Sequence, residues 1–514
     1  MARQGSRSTA ALGLTRRAAG LAAFLAALTG RARAQALSVE GDPDCYRPLV
    51  HYAPRSGFMN DPNGLIFHND EWHLFFQLNP GEPRAGRAHW GHAVSRDLLH
   101  WRDLPVALDE TAAGQAYSGS AAFDAGNTSG LFTTGAGGLV AVYTRASPGH
   151  QRQEIAFSRD EGRTFTEYAG NPVLDRHSDS FRDPKVLWHA PTARWIMVAA
   201  AASERRVLFY ASPDLRHWAE VGAFGPAGLL GGDYECPNLV EVPVEGGGER
   251  WVLFVSINPG APQGGSAVQY FVGAFDGSRF TPDDAATRFV DFGKDFYALQ
   301  TFADAPADRP VAMAWASNWQ YCNDLPTGSW RGVMSLPRLL SLRQAADGWR
   351  LLQGFAPLDP VRGATVPTQM TAGDPGHLAH ASLPSDSAIE VRTRLALEPG
   401  AVAVLRWTNG AGEALELGFD QAAAQIFVDR GGTRGFSNRF FTDKFAYAGP
   451  PGTREVELHL VFDRCILEVL GFGGEMSGTF LHFFAVPPDR LAVEAVGSVT
   501  VRFLEVTRLA PIGP

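Results

Sequence analysis

"SGFMNDPNGLIFHND", Ser56 to Asp70, sets a carboxylate and two amides between apolar runs. Read alone, Pro62-Asn63-Gly64 is turn chemistry, because proline presets φ while Asn and Gly tolerate positive φ. An idle surface turn has no use for burial on both sides. Here Phe58 and Met59 come before the polar residues, and Leu65, Ile66 and Phe67 come after. Whether Asp61 is idle depends on where the rest of the chain places it.

Outward from this stretch, four segments resemble one another: Ser95 to Trp101, Ser158 to Phe165, Ser212 to Trp218 and Phe275 to Phe280. Each is a polar turn built on an aspartate and closed by an aromatic residue. The aspartates, Asp97, Asp160, Asp214 and Asp276, are spaced 63, 54 and 62 residues apart. Between them lie runs such as "HLFFQ", "LVAVYTR" and "RWVLFVS", rich in β-branched and aromatic residues and without helical periodicity. An all-strand repeat of roughly 60 residues, beginning near residue 50 and fading near 340, has room for about five units, which predicts a five-bladed β-propeller over residues 45–343. A loop-like linker is expected over 344–372. Beyond it, alternating runs such as "AIEVRTRLAL" and "REVELHLVFD" predict a C-terminal β-sandwich over 373–510. The fold class read from the sequence is therefore all-β.

Two further acidic motifs share the character of the first. "DSFRDPKVLW" carries Arg182 and Asp183 before Pro184, and "GGDYECPNLVEV" carries Glu235 before Cys236-Pro237. Asp61, Asp183 and Glu235 precede the turn aspartates of their own repeats by 36, 31 and 41 residues. They thus occupy similar points, early in units one, three and four. Early strands of a propeller blade line the central channel, so three acids from three blades are expected at one funnel. Paired carboxylates whose surroundings push their pKa values apart are the requirement of glycoside hydrolysis.

The first 36 residues are read as a secretory signal. Four arginines precede an apolar run, Ala18 to Leu28, that is short for a membrane span, and A-x-A sites follow at 32–34 and 34–36. Arg16-Arg17 fits a twin-arginine signal, and the segment equally fits general secretion. Removing its six arginines takes the formal charge from −9 to −15. So acidic a chain is matched to neutral substrates rather than to nucleic acid or anionic membrane. Export places it in the periplasm or outside the cell, with a monomer as the default state. Cys45, Cys236, Cys322 and Cys465 are too few and scattered for a disulfide scaffold or a zinc site, and are read as thiols.

Taken in order, Asn60-Asp61-Pro62-Asn63-Gly64, "HLFFQLNP", "WGHAVS", Tyr117-Ser118-Gly119-Ser120, Arg182-Asp183-Pro184, Glu235-Cys236-Pro237, "DFGKDFYALQTF", "WASNWQY" and "WRGVMSLPR" resemble glycoside hydrolase family 32, the β-fructosidases. The resemblance spans about residues 46–510. It implies the same propeller and sandwich, and a retaining hydrolase that releases terminal fructose from levan, inulin or sucrose without metal or organic cofactor. It further implies Asp61 as nucleophile, Glu235 as acid and base, and Asp183 as the holder of fructosyl hydroxyls, kept ionised by Arg182. Asn60, Gln77, Trp90, Ser118 and Trp315 would line the fructosyl pocket with Arg182. A fructosyltransferase and a non-catalytic fructan-binding propeller are the alternatives. The chain departs from the family's usual pattern at Phe58, where Trp is common, and at Ala85-Gly86-Arg87, where Trp-Gly-Asn is usual.

Overall fold

A computed structural model describes residues 44–133, 137–306, 308–371, 376–384 and 387–513. The expected signal segment lies outside the described residues. Five sheets follow one another along the chain, each built by antiparallel strands taken in sequence order. Their innermost strands are Gly57–His68, Gln115–Phe123, Phe181–His189, Asp233–Pro243 and Tyr297–Thr301. The short strand Trp330–Arg331 pairs in parallel with Gly57 and Phe58, so a segment from the fifth sheet's sequence fastens onto the first. This is the β-propeller. Strands buried on both faces, such as Arg194–Ala201 in the third sheet, read as unbroken apolar runs because neighbouring blades cover each side.

The repeated aspartates have one structural role. Each sits in the turn between the third and fourth strands of its blade and accepts backbone N–H groups two to four residues on. Asp97 takes those of Leu99 (3.0 Å) and His100 (2.8 Å), Asp160 that of Thr164 (2.9 Å), Asp214 that of His217 (2.9 Å) and Asp276 that of Arg279 (2.7 Å). The sequence period is therefore a period of Asx turns, each satisfying donors that the tight reversal would otherwise leave unpaired.

Residues 344–372, expected as a linker, instead carry regular structure. Arg338–Ala345 and Gly348–Phe355 are the outer hairpin of the fifth blade, and Arg362–Thr365 and Thr368–Met370 are edge strands of the two sandwich sheets. Of the residues that suggested a loop, Gly354 and Gly363 lie within strands, and Pro357, Pro360 and Pro367 lie in the short connections between them. The sandwich has one sheet of six strands and one of seven. Between them Leu405, Trp407, Leu460, Val469, Phe480 and Val493 form a dry core. Each such large side chain contributes about 1.5–3 kcal/mol by leaving water. Among the described residues no helix is long and apolar enough to cross a membrane.

Candidate active site

The opening stretch is not a turn. Residues 57–68 form one continuous inner strand whose pairing with Glu71–Asn79 slips twice, between Met59 and Pro62 and between Asn63 and Ile66. The same irregularity recurs in every blade: between Ala116 and Gly119, Arg182 and Lys185, Glu235 and Asn238, and Tyr297 and Gln300. A bulge leaves residues outside the ladder and re-aims their side chains. It is also where a strand accepts proline, which has no N–H to give. Pro184 and Pro237 lie within these irregularities and Pro62 borders one. Gly64 lies in the second slip of the first inner strand at φ +52°, where an added Cβ would lie 2.7 Å from the Phe75 ring and 3.0 Å from Trp90. Asp183 and Cys236 themselves hold left-handed backbone, φ 62° and 45°. Such strained non-glycine residues persist where the surroundings over-determine them, and they cluster at functional sites.

These bulges bring the three acids together through Cys236. Its amide donates to Asp183 Oδ2 at 2.9 Å, and its Sγ lies 3.5 Å from Asp61 Oδ2 and 3.6 Å from Asp183 Oδ2. Glu235 precedes it directly. Asp61 is nearly buried and accepts from Ser118 Oγ (2.7 Å) and Asn60 Nδ2 (3.0 Å). Burial pushes its pKa up, while these donors pull it back. Glu235 keeps a fifth of its side chain exposed. One of its oxygens takes two bonds from Arg182, 3.2 Å from Nε and 3.1 Å from Nη2, and the other accepts from the Tyr297 hydroxyl. Its pKa is raised by burial against the pull of Arg182 and Tyr297. The acid is oriented at both oxygens.

Arg182 does not pair with Asp183 as expected. Its guanidinium reaches across to Glu235 and to Asp233 Oδ2 (3.0 Å), because the bulge turns consecutive side chains apart. Its charge lowers the Asp183 pKa through space, but desolvation outweighs it and Asp183 rises to about 7. The Asp183 amide is held by Thr144 Oγ1 at 3.0 Å.

Asn60, Ser118 and Arg182 are thus at the acids, whereas the other expected pocket residues stand behind them. Gln77 donates to the Ala116 carbonyl (2.9 Å). Trp90 is wholly buried against Phe75 and Tyr143, with its indole N–H on the Tyr117 carbonyl (2.9 Å). Trp315, also wholly buried, packs on Phe58, Tyr297 and Trp319. Neither indole has exposed surface: Trp90 is packed between its own blade and Tyr143 of the second, and Trp315 between its own blade and Phe58 of the first. Tyr297, Cys236, Asp233 and Thr144 were not singled out from sequence. Tyr297 begins the fifth inner strand, at the phase of the repeat occupied by the acids, and that phase was the available signal. Cys236, Cys322 and Cys465 are buried thiols.

Comparison with known proteins agrees with this architecture. Residues 51–354 match the glycosyl hydrolases family 32 N-terminal domain, and residues 363–507 match the family 32 C-terminal domain. A levanase of Bacillus subtilis is 39% identical, over 91% of this chain and 71% of its own length. An extracellular exo-inulinase of Meyerozyma guilliermondii is 40% identical, over 86% of this chain and 90% of its own. Among solved structures, a fructofuranosidase of Schwanniomyces occidentalis complexed with fructose superposes with a TM-score of 0.85 at 34% identity, covering 92% of this chain and all of that one. The chain belongs to glycosyl hydrolase family 32 and is a glycosidase.

Proposed function

We propose that this protein is an exported, retaining β-fructosidase that removes terminal fructose from levan or inulin and, as a lesser substrate, sucrose. The observation that carries the reading is the meeting of Asp61, Asp183 and Glu235 at bulges of three inner strands, with separate hydrogen-bond surroundings for each. The names of the relatives above supply the sugar class.

In the first step an Asp61 oxygen forms a bond to the anomeric carbon of the terminal fructosyl unit while the glycosidic C–O bond breaks. Glu235 passes its proton to the departing oxygen. In the second step Glu235, now a carboxylate, takes a proton from water as that water's oxygen displaces Asp61, and net configuration is retained. Ser118 and Asn60 hold the attacking carboxylate in place and favour its charge. Arg182 and Tyr297 aim Glu235 and favour its charged form, while burial keeps its proton affinity raised. Asp183 accepts hydroxyl groups of the fructosyl ring and balances positive charge that develops in the transition state. No step calls for a metal or organic cofactor.

Asp61→Ala and Glu235→Ala are each expected to lose hydrolysis of levan, inulin and sucrose. Near-normal turnover by either variant refutes the assignment. Chromatography of wild-type products separates the modes of action: fructose alone means release from chain ends, oligomers mean internal cleavage, and products longer than the substrate mean transfer. Detection of the mature chain outside the cytoplasm, starting past residue 36, tests export.

A further inference from the structure

Away from the acids, the second blade gathers a different set of ligating atoms. Leu174–Ser178 is a short strand paired with His150–Ser158, with Gln151 opposite Ser178 and Arg152 opposite Asp175. The pairing slips between Ser178 and Asp175 and His177 holds left-handed backbone (φ 54°), so the strand bends there and brings His177 beside Asp175, with His150 next to them on the neighbouring strand. His150 Nε2 lies 2.9 and 3.0 Å from the two Asp175 oxygens, and His177 Nδ1 lies 3.5 Å from Oδ2. One ligand atom from each of the three falls within 4.8 Å of the others. The two imidazoles are stacked, centroids 6.0 Å apart.

We propose that His150, Asp175 and His177 bind one divalent transition-metal ion of the zinc type. Two imidazoles and one carboxylate are the donor set such borderline ions take, whereas calcium and magnesium prefer oxygen alone. Tetrahedral zinc at about 2.0–2.2 Å from each donor needs donors about 3.4 Å apart. Asp175 already meets both imidazoles near that spacing, and the His177 side chain, 87% exposed, is free to swing inward. The fourth position faces water. The neighbouring cations are engaged elsewhere: Arg176 points to the other face, to Tyr210 Oη (3.1 Å) and Glu220, and Arg152 Nε is held by Glu154 at 3.0 Å.

The site lies at the acid-bearing end of the blade. Leu174–Ser178 runs, after two residues, into the strand that carries Arg182 and Asp183. The Ser147–His150 hairpin belongs to the same end as Gln115, where the strand bearing Ser118 begins. A bound ion would pin the chain entering the third inner strand to the second blade. It is a clip beside the glycosidase site and takes no part in the bond-making steps.

Zinc chloride titrated into the full chain at pH 7.5, followed by calorimetry and thermal melting, tests this. One saturable equivalent and a higher Tm are expected. Both should fade at pH 5, because a metal binds an imidazole nitrogen only when that nitrogen gives up its proton. Calcium and magnesium should not substitute. His177→Asn keeps a residue that tolerates the left-handed backbone at 177 (φ 54°). It should weaken zinc binding by about tenfold or more, leaving metal-free Tm and hydrolysis unchanged. His150→Ala should do the same. Absence of saturable binding, equal binding of calcium, or undiminished zinc binding by both variants would overturn the proposal.

Discussion

Two groups of buried acids in this molecule have opposite protonation behaviour. At the funnel, burial raises Asp61, Asp183 and Glu235 above their ordinary values. Where the propeller meets the sandwich, Asp463 and Glu468 are buried more completely and yet are held below theirs. The difference lies in the donors each carboxylate receives. Asp463 accepts the amides of Leu49, Val50 and Arg464 and an ion pair from His51 at 2.9 Å. Glu468 takes the Leu336 amide (2.6 Å), Arg338 Nη2 (2.6 Å) and His51 Nε2 (3.3 Å). Arg338 in turn serves Asp291, Gln353 and Thr479. Fully supplied, a buried charge is a structural joint. At the funnel the Cys236 thiol lies near both Asp61 and Asp183, its amide serves Asp183 alone, and desolvation outweighs the donors each acid receives, so their proton affinity stays high. The same comparison explains why the sandwich cannot be a loosely attached module: its Glu468 and Asp463 complete the propeller's Arg338 and His51.

The comparison can be broken most forcefully at Arg338. Arg338→Ala leaves Glu468 and Asp291 buried without their partner, and should cost about 3–5 kcal/mol in chemical denaturation. A loss below 1 kcal/mol would mean that the interface charges are solvated after all. Next in size is Asp183→Asn. Hydrolysis should collapse, while Tm at pH 7.5 stays level or rises. The sign follows from the raised folded pKa, about 7 against an ordinary 3.8. Such a group opposes folding increasingly as pH climbs from 4 to 7, and the amide removes that opposition. A lower Tm would place Asp183 with the joint rather than the site.

His51 gives a smaller effect with a defined pH window. Its carboxylate partners raise it to about 9 from 6.5. Its contribution is therefore complete below pH 6.5 and disappears as pH rises through 9. His51→Gln should lower Tm clearly at pH 6 and hardly at pH 10, as scanning calorimetry at the two pH values will show. Smallest is Tyr297→Phe. Removing the hydroxyl that donates to Glu235 takes away a stabiliser of its charged form and raises its pKa further. The alkaline limb of kcat/KM should move to higher pH with Tm little changed. A limb that stays in place, or moves down, would remove Tyr297 from the acid's environment.

Much of this was legible in the residues. The Asp-turn period located the blades, since an Asx turn writes its donor requirement into the sequence. The phase of Asp61, Asp183 and Glu235 against that period placed them on inner strands. Three things were hidden. Consecutive residues in a bulge point apart, so adjacency in sequence made Arg182 look like the partner of Asp183 when its guanidinium reaches Glu235 in the next blade. Trp90 and Trp315 looked like pocket walls, because only packing decides which side of an indole a neighbouring strand covers. The strands within the expected linker were hidden because glycines inside them and prolines in the short connections between them read together as one long loop.

The most direct test pairs two buried aspartates, one from each group. Asp61→Asn and Asp463→Asn should be compared for Tm and for fructose release from levan and inulin at pH 6. The predicted result is a loss of about 10⁴-fold or more in kcat for Asp61→Asn with Tm level or higher, against a reduced Tm for Asp463→Asn with turnover per folded molecule retained. A Tm drop without loss of turnover in Asp61→Asn, or lost turnover at unchanged Tm in Asp463→Asn, would contradict the division between site and joint.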